Sequence, residues 1–192
     1  MMMTMARGTY LPRMEFALTV ALLLSGCVTP TGTPKAAPVL GGAVQVGVPA
    51  GYCIDRAAGR EDGDTAVVVM GKCAEGSTAL PAVLTAAIGP AASAGVLAGG
   101  GQALAAYFTS DAGRAALSRS GRPSTVTIVQ AKGVGAAFVM RIRDRDAGEY
   151  WRGVVPVAGR LVTITVDAPG ADAAAGETLL TRSLDAMLRA NP

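Results

Sequence analysis

The chain has 192 residues, of which 51% are apolar and only 4% aromatic, so its core has to be built from Val, Leu, Ile and Ala. Seventeen Lys and Arg against 14 Asp and Glu give a net charge of +3, too mild a surplus for a nucleic-acid binder. There is no histidine, which removes Ser-His and Cys-His nucleophilic relays and His-ligated zinc.

Arg7 and Arg13 precede an apolar run from Phe16 to Leu24, which leads into Leu24-Ser25-Gly26-Cys27. A basic start, a short apolar middle and a small-residue end are the order of a secretory signal. The run is too short to span a bilayer, which takes about 20 apolar residues. Leu24-Ser25-Gly26-Cys27 resembles the lipobox of bacterial lipoproteins, whose cysteine is acylated and becomes the new N-terminus. The resemblance implies a signal peptide over 1–26, lipidation at Cys27, and export with the membrane held through the N-terminal lipid. An ordinary cleaved signal is the alternative. Val28 stands where an Asp would favour inner-membrane retention, which implies an outer-membrane anchor facing the periplasm. Of the several N-terminal methionines, Met5 gives a conventional signal length.

Removing 1–26 leaves 166 of the 192 residues, a length suited to one domain and a tether. Arg7, Arg13 and Glu15 leave with the signal, so 15 basic and 13 acidic side chains remain, a balance of +2. Residues 27–41 hold the lipidated cysteine and a proline-rich stretch that reads as a semi-extended tether, and a single α+β domain is expected over 42–192. Of three cysteines, Cys53 and Cys73 remain after Cys27. An even remainder in an exported chain reads as a disulfide, with a metal or redox pair as the rival.

In chain order, Val44, Val46 and Val48 alternate as a half-buried strand. Pro49-Ala50-Gly51 turns into Tyr52–Asp55, and Arg56–Asp64 reads as a charged loop. Thr65–Cys73 contains Val67-Val68-Val69-Met70, suited to a central strand, and Val83–Ile88 is a further short strand. Leu80–Phe108 carries no charge over 29 positions, but Pro90 and five glycines break it into strand, loop and helix. That helix begins near Gln102, is renewed at Thr109-Ser110-Asp111 and stops by Gly121. Strands are expected at Thr125–Gln130, Ala136–Arg143 with a turn at Lys132-Gly133 before it, and Glu149–Arg152. Val157-Ala158-Gly159-Arg160 turns into a clean alternation over Leu161–Val166. A last helix over 173–190 presents Leu180, Leu184, Met187 and Leu188 as one stripe, with Gly176 as its weak point. The fold class is α+β, a mainly antiparallel sheet packed by one mid-chain and one C-terminal helix.

GEYWRGVVPVAGRLVTITV over 148–166, followed by LLTRSLDAMLRAN over 179–191, resembles the PsbP/Mog1-like proteins, implying a strand-turn-strand leading into a helix across the sheet of a sandwich. GYCID, VVVMGKC and FTSDAGRAALSRSG resemble small alphaproteobacterial lipoproteins of unsettled activity.

The inventory for chemistry is thin. Lys72 and Lys132 sit in no SxxK, and glycines 99–101 lack the Lys-Ser/Thr of a P-loop. Asp55, Glu61, Asp62 and Asp64 gather carboxylates in one stretch without the spacing of a calcium loop, so a solvated hairpin loop is expected there. Arg141, Arg143 and Arg145 share a strand face, with Trp151 and Arg152 just beyond the turn. They form a candidate patch for an envelope protein or another anionic partner, unless the arginines pair with Asp144, Asp146 and Glu149. The expectation is therefore a periplasmic lipoprotein acting as a non-catalytic binding or accessory module at the cell envelope, with no catalytic residues, no metal and no cofactor. The alternatives are a small envelope hydrolase or transferase using carboxylates or the Arg141/Arg143/Arg145 row, and a small-ligand carrier in the sheet–helix groove.

Overall fold

In the computed structural model, residues 36–73 and 77–192 are described. They belong to a compact unit, Thr33–Pro192. The signal segment, Cys27 and the first part of the tether lie outside the described residues.

The first strand, β1 (Ala36–Val39), pairs with β2 (Val44–Gly47) as a small antiparallel hairpin. Among the described residues, strand structure is already present at Ala36–Val39, within the stretch expected as tether. Val39 and Val44 are buried, so the end of the proline-rich stretch packs into the domain because its valines can be covered.

Seven further strands form one antiparallel sheet: β3 (Tyr52–Asp62), β4 (Thr65–Lys72), β5 (Val83–Ile88), β6 (Val126–Val134), β7 (Ala137–Asp144), β8 (Gly148–Val157) and β9 (Arg160–Asp167). Their spatial order is β3-β4-β5-β9-β8-β7-β6. Residues 56–62, expected to loop, continue β3, with the register slipping between Asp55 and Arg60. An edge strand exposed on both sides needs no apolar alternation, which is why its charges read as a loop. The β6–β7 turn falls after Val134, so Lys132 and Gly133 are strand residues. Ala158 and Gly159 both have positive φ (48° and 74°) at the β8–β9 turn, the backbone of a tight hairpin that matches strand twist.

Helix α1 (Gly100–Thr109) and helix α2 (Asp111–Leu117) replace the expected single mid-chain helix. The chain is extended at Ser110, whose hydroxyl caps α2 by accepting from the Gly113 N–H at 3.2 Å. Helix α3 spans Ala173–Ala190, capped by Asp172, which accepts from the Ala175 N–H at 2.7 Å. Among the described residues no helix is long and apolar enough to cross a membrane.

Successive strand residues point to opposite faces. On one face Met70, Leu84, Ile164, Trp151 and Val155 are sealed beneath α3 and the β1–β2 hairpin, with Leu179, Leu180, Leu184 and Met187 of α3 packed on them. Leu188, expected in that stripe, is exposed. On the other face α1 and α2 bring Leu104 and Leu117 onto Phe138, Met140, Ile142, Tyr150 and Val154.

The α3 seat depends on close approach. A Cβ on Gly47 would lie 2.0 Å from the Ala186 carbonyl oxygen, and one on Gly176 would lie 2.6 Å from the Trp151 ring. Gly176 is therefore where the helix meets the indole. At the far end of α3, Asn191 accepts from the Gln45 N–H at 2.9 Å and donates back to the Gln45 carbonyl at 2.7 Å, tying the helix to β2.

The clash at Gly47 is with backbone, which cannot swing aside. Gly47→Ala is expected to cost about 2 kcal/mol or more by forcing α3 off β2. Gly71→Ala, with nothing within 4 Å of the added carbon, should stay within about 0.5 kcal/mol. Urea unfolding of the two variants checks this.

Candidate functional site

The β7–β8 pairing places the expected patch residues. Arg141 lies opposite Trp151 and Arg143 opposite Glu149, and opposed residues share a face. Both arginines therefore belong to the α3 side. Glu149 accepts from Arg141 Nε at 2.6 Å and from Arg143 at 3.1 Å. Burial alone would raise the Glu149 carboxyl, but hydrogen bonds from Arg141 and Arg143 outweigh it and hold the group below its usual range. Of the acids expected to neutralise the row, Glu149 does so, whereas Asp146 pairs with Arg122.

Trp151 does not join an exposed patch. It is 4% exposed, beneath Gly176 of α3. Arg145 sits beyond the end of β7 and donates to the Ser124 carbonyl at 2.8 Å. Arg152, next in sequence to Trp151, points to the opposite face. The five residues therefore occupy four environments, and the single surface patch expected from their closeness in sequence is corrected accordingly.

The Arg152 environment is the more unusual. Arg152 lies opposite Met140 on β7 and Thr165 on β9. It donates to Thr165 Oγ1 at 3.2 Å and to the Ala116 carbonyl at 3.4 Å. Its guanidinium carbon stands 5.4 Å from the centre of the Tyr150 ring, and that of Arg119 stands 6.0 Å from the same ring, both within cation–π range. Arg119 pairs with Asp167. Arg152 has no carboxylate partner among the described residues. Burial pulls its pKa below the ordinary arginine value, the Tyr150 hydroxyl opposes that, and Arg119 adds to it. The Tyr150 hydroxyl is pushed up by burial and donates to the Leu117 carbonyl.

Beside this pair, Asp144 is 1% exposed and anchors the loop after α2. It accepts from the Arg119 N–H at 3.0 Å, from Ser118 Oγ at 3.3 Å and from the Asp146 N–H at 3.0 Å. Burial would raise its pKa, but those bonds and the Thr125 hydroxyl prevail, and the carboxyl stays below its usual range. The arrangement holds Arg119 in place and leaves Arg152 able to take an anionic oxygen from outside.

The carboxylates expected between residues 55 and 64 disperse. Asp55 accepts from the Ala57 and Ala58 N–H groups, Glu61 from the Leu40 N–H, and Asp64 holds Arg160 and the Ala91 N–H. Cys53, in β3, and Cys73, just past the end of β4, have their sulfurs 2.14 Å apart, at disulfide distance. Reading the sequence missed Arg119, Tyr150 and Thr165, which reach Arg152 across gaps of chain that no local pattern records. Part of the signal was present: in alternation, Trp151 and Arg152 cannot share a face.

No protein-family model matches the chain, and no curated protein matches it significantly. Among solved structures, a mutant of the protein Mog1 matches over 81% of this chain and 93% of that chain, with 14% identity and a TM-score of 0.45.

Asp144→Asn keeps the shape and loses the charge that gathers these donors, at an expected cost of about 1–3 kcal/mol near neutral pH. A depressed native pKa stabilises fully above the unfolded value of about 3.9 and loses that contribution as pH falls through the lower native value. The gap between wild type and Asp144→Asn, measured by denaturant unfolding, should hold at pH 6 and narrow below about pH 4.

Proposed function

We propose that this chain is an exported lipoprotein, held at the envelope through Cys27, whose domain is a non-catalytic binding module. Arg152 carries the binding reading: a half-buried cation without a carboxylate partner among the described residues, on a sheet face that no helix fully covers. A protein that used the arginine only for its own stability would be expected to pair it, because burying an unpaired charge is costly.

Export is supported by the Leu24-Ser25-Gly26-Cys27 stretch after its apolar run and by cysteines at bonding distance, a pairing that persists in oxidising compartments. Four carboxyls are not poised as general acids. Those of Asp64, Asp144, Asp146 and Glu149 are all depressed, whereas a carboxylic general acid needs a raised value.

Cys27→Ser is expected to abolish incorporation of labelled palmitate and to move the protein from the membrane to the soluble fraction. Retention in the membrane with no label would overturn the anchor. Cys53 and Cys73 should resist maleimide in intact cells unless a reductant is added, and replacing both by serine should cost about 3 kcal/mol for a loop of this size.

A further inference from the structure

The sheet's second face is only half covered. Helices α1 and α2 lie over β6, β7 and β8, and a 3-10 turn at Ser93–Gly99 packs on the start of β9, leaving β3, β4, β5 and the rest of β9 without a helix on that side. The residues that point there are Val67, Val69, Thr85, Ala87, Thr163 and Thr165, all half-exposed. Their immediate neighbours on the opposite face, such as Ala66, Leu84, Ala86 and Ile164, are at most 2% exposed. Val83 extends the floor and is 52% exposed. The floor is thus a β-branched, uncharged strip.

Charges stand at its sides. On the inner side the α2 wall presents Arg152, which has no carboxylate partner among the described residues, next to the Arg119–Asp167 pair. On the outer side Arg60, opposite Val67 and so on the same face, makes no ion pair among the described residues. Two carboxylates share that rim: Asp55, turned onto its own Ala57 and Ala58 amides, and Asp62, opposite Thr65. The trough has an uncharged floor of valine, alanine and threonine; its inner side is positive at Arg152, and on its outer side Arg60 stands between Asp55 and Asp62.

We propose that this trough receives an amphipathic helix of a partner protein, apolar residues down on the Val69–Thr85–Thr165 strip and a carboxylate on Arg152. Three spacings from β9 to β3 give about 14 Å, at about 4.8 Å each, and a helix with side chains is about 10–12 Å across. A helix beside α1 and α2 would complete the layer that the domain leaves unfinished. Addition of a strand is disfavoured, because the slipped register between Asp55 and Arg60 interrupts the β3 edge. This inference rests on the binding-module reading and names its surface and the chemistry of its partner.

The test is photo-crosslinking of the full chain in intact cells, with a benzoyl-phenylalanine placed at position 85 in the trough, at 181 on the outer side of α3, or at 143 on the other sheet face. The 85 probe should capture a peptide with apolar residues three and four apart and flanking Asp or Glu. Yield should fall about tenfold in Arg152→Met, as expected for loss of a charge-assisted bond, and should be unaffected by Arg189→Met. Melting curves check that Arg152→Met folds. If it does not, the exposed Arg60→Glu gives the second reading and should also lower the yield. Capture of lipid, of a second copy of this chain or of a segment without that pattern would overturn the proposal, as would a yield indifferent to Arg152 and Arg60. Capture only at 143 or 181 would sink the trough and leave the binding module standing, while capture at none of the three positions would sink both.

Discussion

Everything in this domain depends on how closely α3 can approach the sheet. With so few aromatic residues, the core lacks large side chains to bridge a wide gap, and the chain closes the gap by removing side chains from the contact. Gly47 admits the α3 backbone, and the space above Gly153 is filled by Leu180 and Leu184. At Gly176 the Trp151 indole occupies the place of a side chain. A glycine inside a helix costs about 1 kcal/mol relative to alanine. Here that cost is offset by seating the chain's one tryptophan. The result is a face whose residues are almost all inaccessible to solvent.

The opposite face follows a different economy. Its helices are short, and the extended residue at Ser110 splits them, so they cover three strands and stop. The segment after α2 is then fixed by polar groups, with Asp144 collecting donors from Ser118, Arg119 and Asp146. That polar clamp is what positions Arg119 over Tyr150, next to Arg152. The asymmetry between a sealed face and a half-covered face thus begins with a helix break and ends with an arginine that has no acid among the described residues.

Elements that bury one face completely were legible in the sequence. The Leu161–Val166 alternation, the Val83–Ile88 strand and the helix from Ala173 to Ala190 all carry their burial pattern locally. Elements whose surroundings are wet or distant were not. The charged length of β3 has solvent on both sides and no pattern to read. β1 is proline-bearing and small, and it becomes a strand only because β2 and the core accept Val39. The candidate patch suffered from the period itself: neighbours in a strand point apart, so Trp151 went to the core and Arg152 to the open face, while Arg141 and Arg143 met Glu149 behind them. Tyr150's partnership with Leu117 spans 33 residues, a distance over which no sequence pattern carries information.

The charge on the open face survives any local rearrangement of side chains. Arg119 and Arg152 flank the same ring, and among the described residues the carboxylates that act on that ring are Asp167 and Asp144. Asp144 is committed to the loop after α2, and withdrawing it would strand buried N–H groups, at a cost of about 1–3 kcal/mol each. Asp167 can neutralise one guanidinium at a time. If it turned from Arg119 to Arg152, Arg119 would become the unpaired cation at nearly the same spot. Among the described residues one positive charge therefore remains beside the uncharged floor of Thr85 and Thr165, whichever of the two guanidiniums Asp167 neutralises. Its low-dielectric side, formed by Tyr150 and Val154, strengthens its field toward the open side, which is where an anionic group from another molecule can approach.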